Sequence, residues 1–357
     1  MMLYRSISPG PSSNKARSSQ ISSLGLGFGV ATLLLMLGAA SAQAKPPAVV
    51  ASFKPIHSLV AGVMDGVGTP SLIVKGAASP HTYALTPSDA QAIQDAQLVF
   101  WVGEGFERFL DKAIETLPHG AKSVELGEIE GLTLLPMREG GIWDEHMHEG
   151  EEHAEGEAHV EGEEHAEGEE HAEGEEHDHD HEHGAHDGHL WLDPANAKLM
   201  TAAIVAELSA ADPGNAAVYE TNGEKLQGRL DELDQEIASS LAPVKQVPFI
   251  VFHDAYQYFD RHYGLAGVGS ITVNPEQSPG AKRLGEIRDK IVNQQARCVF
   301  REPNFEPALV DTVVEGTGAR TGVLDPEGAS LKEGPDLYFQ LMRSIAGSLK
   351  TCLSASS

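Results

Sequence analysis

Apolar positions along this chain switch repeatedly between strand-like and helix-like spacing from Pro47 onward. Residues 48–53 (AVVASF) form a short β-rich run that reads as a buried strand, and 56–64 carry a helical pattern. Strands follow at 71–74, 98–102 (LVFWV) and 123–126, separated by helical patterns at 87–93 and 106–116. Pro87 stands at the first helical position of its segment, where a missing N–H costs nothing. Strand and helix in strict alternation predict a parallel sheet with helices on its faces.

The alternation stops after Leu135 and resumes at HLWLDPANA. There Asp193 is a predicted N-cap and Pro194 the first helical residue, with Ala197, Met200, Ile204 and Leu208 on one face. A second helix over 213–241 places Leu226, Leu230, Leu233 and Ile237 at spacings of three and four. At about 28 residues it is long for a globular helix, as a strut between lobes would be. A second alternating series then begins: strands at 248–252 (PFIVF), 267–273, 298–300 and 321–324, with helices at 256–263, 280–293, 307–316 and 336–349.

The expected fold is α/β, two lobes each with a mostly parallel sheet flanked by helices, joined by one long rigid helix. The expected boundaries are an N-terminal lobe over 45–212, a linking helix over 213–243 and a C-terminal lobe over 244–357. Residues 1–44 read as a cleaved secretory signal: Arg5, Lys15 and Arg17 in front, an apolar run at 24–37, and a small-residue site at Ala42-Gln43-Ala44. Export makes the periplasm the expected compartment, and no Cys stands at the cleavage point to carry a lipid.

Composition changes the picture in one place. The formal charge is −28, but much of the acid excess lies between Trp143 and Ala195, where no Lys or Arg occurs. Nucleic acid is an unsuitable partner for such a chain, whereas small cations are concentrated by it. Twelve of the 17 histidines fall between His146 and His189. They sit largely in a hexapeptide repeat, EEHAEG and its variants, whose six-residue period walks around a helix by about 600° per unit and whose glycines weaken helix further. Residues 144–188 are therefore expected to be a disordered loop. Its imidazoles, His146, His148, His153, His159, His165, His171, His177, His179, His181, His183 and His186, are candidates for loose, low-affinity metal binding, against a plain reading as a solvated spacer.

A tight site needs fixed ligands. His81 follows the second strand across a Gly- and Pro-containing loop, His189 stands just before the capped helix, and His253 closes the strand PFIVF. All three are at junctions where α/β folds place functional groups. Three imidazoles with an open fourth position suit Zn2+. His57 is near this region in the expected layout, while His119 and His262 read as structural. Cys298 and Cys352 are the only cysteines. In an oxidising compartment they are either a disulfide, closing about 54 residues for roughly 4 kcal/mol, or two free thiols.

The segments SFKPIHSLVAGVMDGVG, SPHTYALTPSDAQAIQDAQLVFWVGEGFE, HLWLDPANA, VFHDAYQYF, CVFREPNF and LDPEG, with the histidine loop, resemble the periplasmic zinc-binding proteins of bacterial ATP-binding-cassette importers. The resemblance spans essentially all of the chain after residue 44. It implies His81, His189 and His253 as zinc ligands, two lobes bridged by a rigid helix, and a Cys298–Cys352 disulfide. It also implies a membrane permease and its ATPase as partners, zinc as cargo, a monomer, and no catalysis. Pro80 stands where some zinc members carry a ligating Glu, so the fourth ligand is left to water, to the histidine loop or to Asp325 of LDPEG. Deleting about 145–188 is then expected to spare the tight site. Two other readings remain open on sequence: a three-histidine metalloenzyme, though no H-E-x-x-H motif occurs, and a zinc chaperone or adhesin on the same scaffold.

Overall fold

The computed structural model describes residues 45–138, 143, 186–273, 279–305 and 307–355. In the first half, β1 (Val49–Ala51), α1 (Lys54–Val63), β2 (Ser71–Leu72), α2 (Pro87–Gln94), β3 (Leu98–Trp101), α3 (Asp111–Glu115) and β4 (Lys122–Glu125) follow in turn. In the second, β5 (Phe249–His253), α6 (Gln257–Tyr263), β6 (Gly267–Thr272), α7 (Ala281–Asn293), β7 (Cys298–Arg301), α8 (Ala308–Val314) and β8 (Arg320–Val323) do the same. Between them run α4 (Pro194–Ala211) and α5 (Ala216–Leu241), and α9 (Leu337–Ser354) closes the chain.

Each half builds a four-stranded sheet, ordered β2-β1-β3-β4 and β6-β5-β7-β8, and every strand pair is parallel. The apolar runs behave as their composition demands: every residue of β1, β3 and β5 is buried, because helices cover both faces. In both sheets the chain leaves its first strand to one side and then returns to pair a later strand on the other. That reversal opens a crevice at the carboxyl ends of β1 and β5.

Capping follows the sequence closely. Thr86 and Asp89 form a reciprocal capping box at the start of α2, and the Asp193 side chain accepts from Ala195 N at 2.8 Å at the start of α4. Along α5, Tyr219, Leu226, Leu230, Leu233, Ile237 and Leu241 are buried, and the helix packs against α4, α1 and α9. The last helix thus returns to the first half: Tyr338 N donates to Ser58 Oγ at 3.0 Å, and its hydroxyl donates to Trp191 O at 2.7 Å. Cys298 and Cys352 form a disulfide, which ties α9 to β7.

One element is shorter than its pattern predicts. The expected helix at 106–116 is helical only over Asp111–Glu115. The buried Glu107 carboxylate accepts from Val102 N and Gly103 N at 2.7 and 3.0 Å, so residues 103–107 turn under β3 before a helix can start. That turn puts the Phe106 ring beside the histidines described next. Residues 1–44, expected as a signal, and the repeat lie outside the described residues, but His186 is described. It bridges Pro136 in antiparallel fashion, and Asp187 N donates to Leu135 O at 2.8 Å. His186 and Asp187, which the expected loop included, are therefore paired with the chain at 135–136, just before His189.

Candidate metal centre

Three elements deliver one imidazole each. His253 is the last residue of β5, the interior strand whose carboxyl end opens on the crevice. His189 precedes a 3-10 turn over Leu190–Leu192 that feeds α4. His81 lies in the loop between β2 and α2. Each offers a ring nitrogen such that all three atoms lie within 4.8 Å of one another, the only group of this kind among the described residues. The Nε2 atoms of His189 and His253 are 3.3 Å apart, and His81 Nε2 is buried without a hydrogen-bond partner among the described residues.

The opposite ring nitrogens explain that orientation. His189 Nδ1 is 2.6 Å from Asp187 Oδ1, which also accepts from His189 N at 3.0 Å. His253 Nδ1 is 2.8 Å from both oxygens of Glu302. Glu302 follows the last residue of β7, the parallel neighbour of β5, so adjacent strand ends present ligand and support side by side. A carboxylate on Nδ1–H fixes the tautomer and leaves the Nε2 lone pair facing inward. Two such lone pairs at 3.3 Å, with a third buried nitrogen nearby, repel one another unless a cation or a proton lies between them.

Aromatic rings wall the group. Phe106 lies 4.8 Å from the His81 ring and 5.2 Å from that of His189, and Trp191 is 5.3 Å from His189. Gly188 is required for this packing, since a Cβ there would sit 2.8 Å from Phe106 Cβ. Burial, with the neighbouring His189 and His253 charges, holds the His81 pKa well below the usual histidine range. At His253 burial acts in the same direction, but Glu302 outweighs it by charge and hydrogen bond, and the pKa is raised.

The other candidates separate cleanly. Asp325 does not join the group: its Oδ1 accepts from Glu327 N and Gly328 N at 3.2 and 2.7 Å, which commits it to a turn. Glu327, two residues on, is buried, accepts from Ser79 Oγ at 3.1 Å and Asn304 Nδ2 at 3.3 Å, and faces His253 and Glu302 electrostatically. Burial is the main reason its pKa rises to about 8. His57 is buried on α1 with Nε2 3.2 Å from Pro70 O, outside the group. His262 ties Asp193 to Asp234, and His119 is exposed. His186 is exposed, while His146, His148, His153, His159, His165, His171, His177, His179, His181 and His183 lie outside the described residues.

Sequence reading missed Asp187, Glu302 and Glu327. Asp187 carried a weak signal, being two residues before a candidate ligand in HDGH, and Glu302 stood at the end of a predicted strand.

Glu302→Gln is expected to lower zinc affinity at neutral pH by about 10- to 100-fold. It also removes the charge that raises the His253 pKa, so protons compete for His253 only at lower pH. Zinc competition titrations between about pH 5 and 8 check both effects. The wild type should lose affinity on acidification before the variant does.

Two parallel sheets bridged by a long helix, with imidazoles converging from both halves, define a two-lobed metal-binding solute-binding protein. The family model described as "ZnuA: Zinc-uptake complex component A periplasmic" matches residues 49–352, and the chain belongs to that family. The high-affinity zinc uptake system protein ZnuA of Brucella suis biovar 1 (strain 1330) is 58% identical over 306 residues, covering 86% of this chain and 91% of that protein. The ZnuA of Paracoccus denitrificans (strain Pd 1222) is 43% identical over 328 residues, covering 90% and 97%. Among solved structures, one described as the crystal structure of ZnuA superposes with a TM-score of 0.66 at 22% identity, covering 86% of this chain and 99% of that one. A 138–173 deletion mutant of ZnuA with zinc bound gives 0.65 at 23% identity, covering 87% and 100%.

Proposed function

We propose that this protein captures Zn2+ in the periplasm and hands it to the membrane permease of an ATP-binding-cassette importer, without catalysing a reaction. The observation that carries this reading is the convergence of three buried or half-buried imidazoles, two of them braced by buried carboxylates. His81, His189 and His253 supply nitrogen to the ion, and Asp187 and Glu302 orient two of the rings. A nitrogen-rich set of this kind favours Zn2+ over Mn2+, which prefers oxygen. The relatives named high-affinity zinc uptake proteins support the same cargo.

Glu327 is the carboxylate we assign to the fourth position in place of Asp325. It is buried and hydrogen-bonded to Ser79, whose hydroxyl also meets His81 N, whereas Asp325 Oδ1 is taken up by the turn. Its proton, held at neutral pH by burial, leaves as the cation arrives.

The histidine repeat collects zinc loosely, and the described residues on either side of it, Pro136 and His186, are bridged. Isothermal titration is expected to show one tight site and several weak ones. Deleting 145–185 should remove the weak sites and keep the tight one. Extending the deletion to 188 takes away Asp187 and should weaken the tight site by about 10- to 100-fold. Loss of tight binding in the shorter deletion would place the principal ligands in the repeat and overturn the proposal.

A further inference from the structure

We propose that Lys54 is a positioning residue for the metal site: by holding the turn at 328–331 it sets Glu327 against Ser79, whose hydroxyl also meets the backbone of His81. Lys54 opens α1 directly beyond β1, at the carboxyl end of the first sheet. Its side chain is buried, and Nζ donates to Gly328 O, Ala329 O and Leu331 O, each at 2.9 Å. An ammonium has three donors and all three are used. They satisfy carbonyls of a single turn, so the group's geometric effect is to fix the backbone there.

The turn needs such fixing. It lies between β8 and α9, and Gly328 takes φ +74°, a conformation glycine adopts without strain. Asp325 Oδ1 braces it from inside through the Glu327 and Gly328 amides. Besides Asn304 Nδ2, which donates to Glu327 at 3.3 Å, its ties run to residues of the chain before α4: Lys54, Trp191 Nε1, which donates to Pro326 O at 2.9 Å, and Ser79 Oγ, which donates to Glu327. Ser79 Oγ also accepts from His81 N at 3.4 Å, and Phe53, next to Lys54, packs on Phe106 and Trp191 at 5.4 and 4.7 Å. Lys54 therefore shares one rigid wall with two of the candidate ligands, and its ammonium fastens the Glu327 turn to that wall. The carboxylates of Asp325 and Glu333 attract the ammonium to the same place.

A purely structural staple predicts lower thermal stability and nothing else. A positioning role predicts that Lys54 and Glu327 act as one unit on the bound ion. The inference rests on the Glu327 assignment made above, and the test separates the two. Co2+ is loaded into the mature wild-type chain, Lys54→Met, Glu327→Gln and the double variant, and its visible ligand-field spectrum and the zinc affinity are measured for each. Both single variants should shift the cobalt spectrum in the same sense, and K54M should weaken zinc by about 10-fold. In the E327Q background the K54M effect should largely vanish, since residues acting through one group are not additive.

A wild-type cobalt spectrum and affinity in K54M, with E327Q altered, overturns the role of Lys54 alone. Equal K54M losses in both backgrounds do the same. A wild-type spectrum in E327Q removes the Glu327 assignment and this inference with it. Should K54M not fold, Lys54→Gln carries the same test, because a shorter amide cannot reach three carbonyls, and the same spectral shift is expected.

Discussion

Replacing His253 with alanine is expected to abolish tight zinc binding and to destabilise the metal-free protein as well. The imidazole is one of three nitrogen donors, so its loss should exceed the roughly 10- to 100-fold cost of losing only a supporting carboxylate. It also takes the ring donor from both oxygens of the buried Glu302, leaving it only the backbone N–H of residue 253, 3.4 Å from Oε1. A buried acceptor without its donor costs about 1–3 kcal/mol, more if it stays charged. His81→Ala should behave differently. Its Nε2 has no protein partner among the described residues and faces two other imidazoles, so truncation should cost zinc affinity while leaving the metal-free melting temperature nearly unchanged. Chelator competition for zinc, paired with thermal melts before and after metal removal, reads both quantities. Equal destabilisation by the two variants would contradict the assigned roles.

Removing the disulfide is the second large effect. Replacing Cys298 and Cys352 together by alanine opens a crosslink spanning 54 residues, and the chain-entropy estimate for such a loop is about 4 kcal/mol. Cys298 begins β7, whereas Glu302 follows its far end, so the supporting contact to His253 should survive in the folded state. Denaturant melts should therefore show a large loss for the metal-free protein with zinc affinity altered only a few-fold. Saturating zinc should recover part of that loss, because binding to the native state adds stability by mass action. A large drop in affinity would mean that the crosslink governs the site itself.

Much of the architecture was legible in the sequence because the sheets are parallel and covered on both faces. AVVASF, LVFWV and PFIVF had to be buried strands, and Asp193-Pro194 marked a helix start without ambiguity. The three histidines were legible for a related reason: each stands at a junction between elements, where an α/β chain exposes side chains to a crevice. Residues 106–110 were misread as helix because the helical spacing ignored a carboxylate, Glu107, that takes up the amides of Val102 and Gly103.

The carboxylates and Lys54 were not legible for a different reason. Asp187, Glu302, Glu327 and Lys54 are charged side chains with no periodic or ligand spacing of their own, and a charge in a sequence ordinarily means solvent. Only folding shows that each is buried and what it holds. Asp325 drew attention as part of LDPEG, yet its Oδ1 closes the turn, while Glu327 two residues on is the buried carboxylate that meets Ser79.

The central claim is that zinc is held by the Nε2 atoms of His81, His189 and His253. Diffraction from zinc-loaded crystals, recorded on both sides of the zinc absorption edge, tests it most directly. One strong anomalous peak is expected about 2.0–2.1 Å from each of the three nitrogens. A principal peak elsewhere, or coordination through Nδ1 with Asp187 and Glu302 displaced, would contradict it.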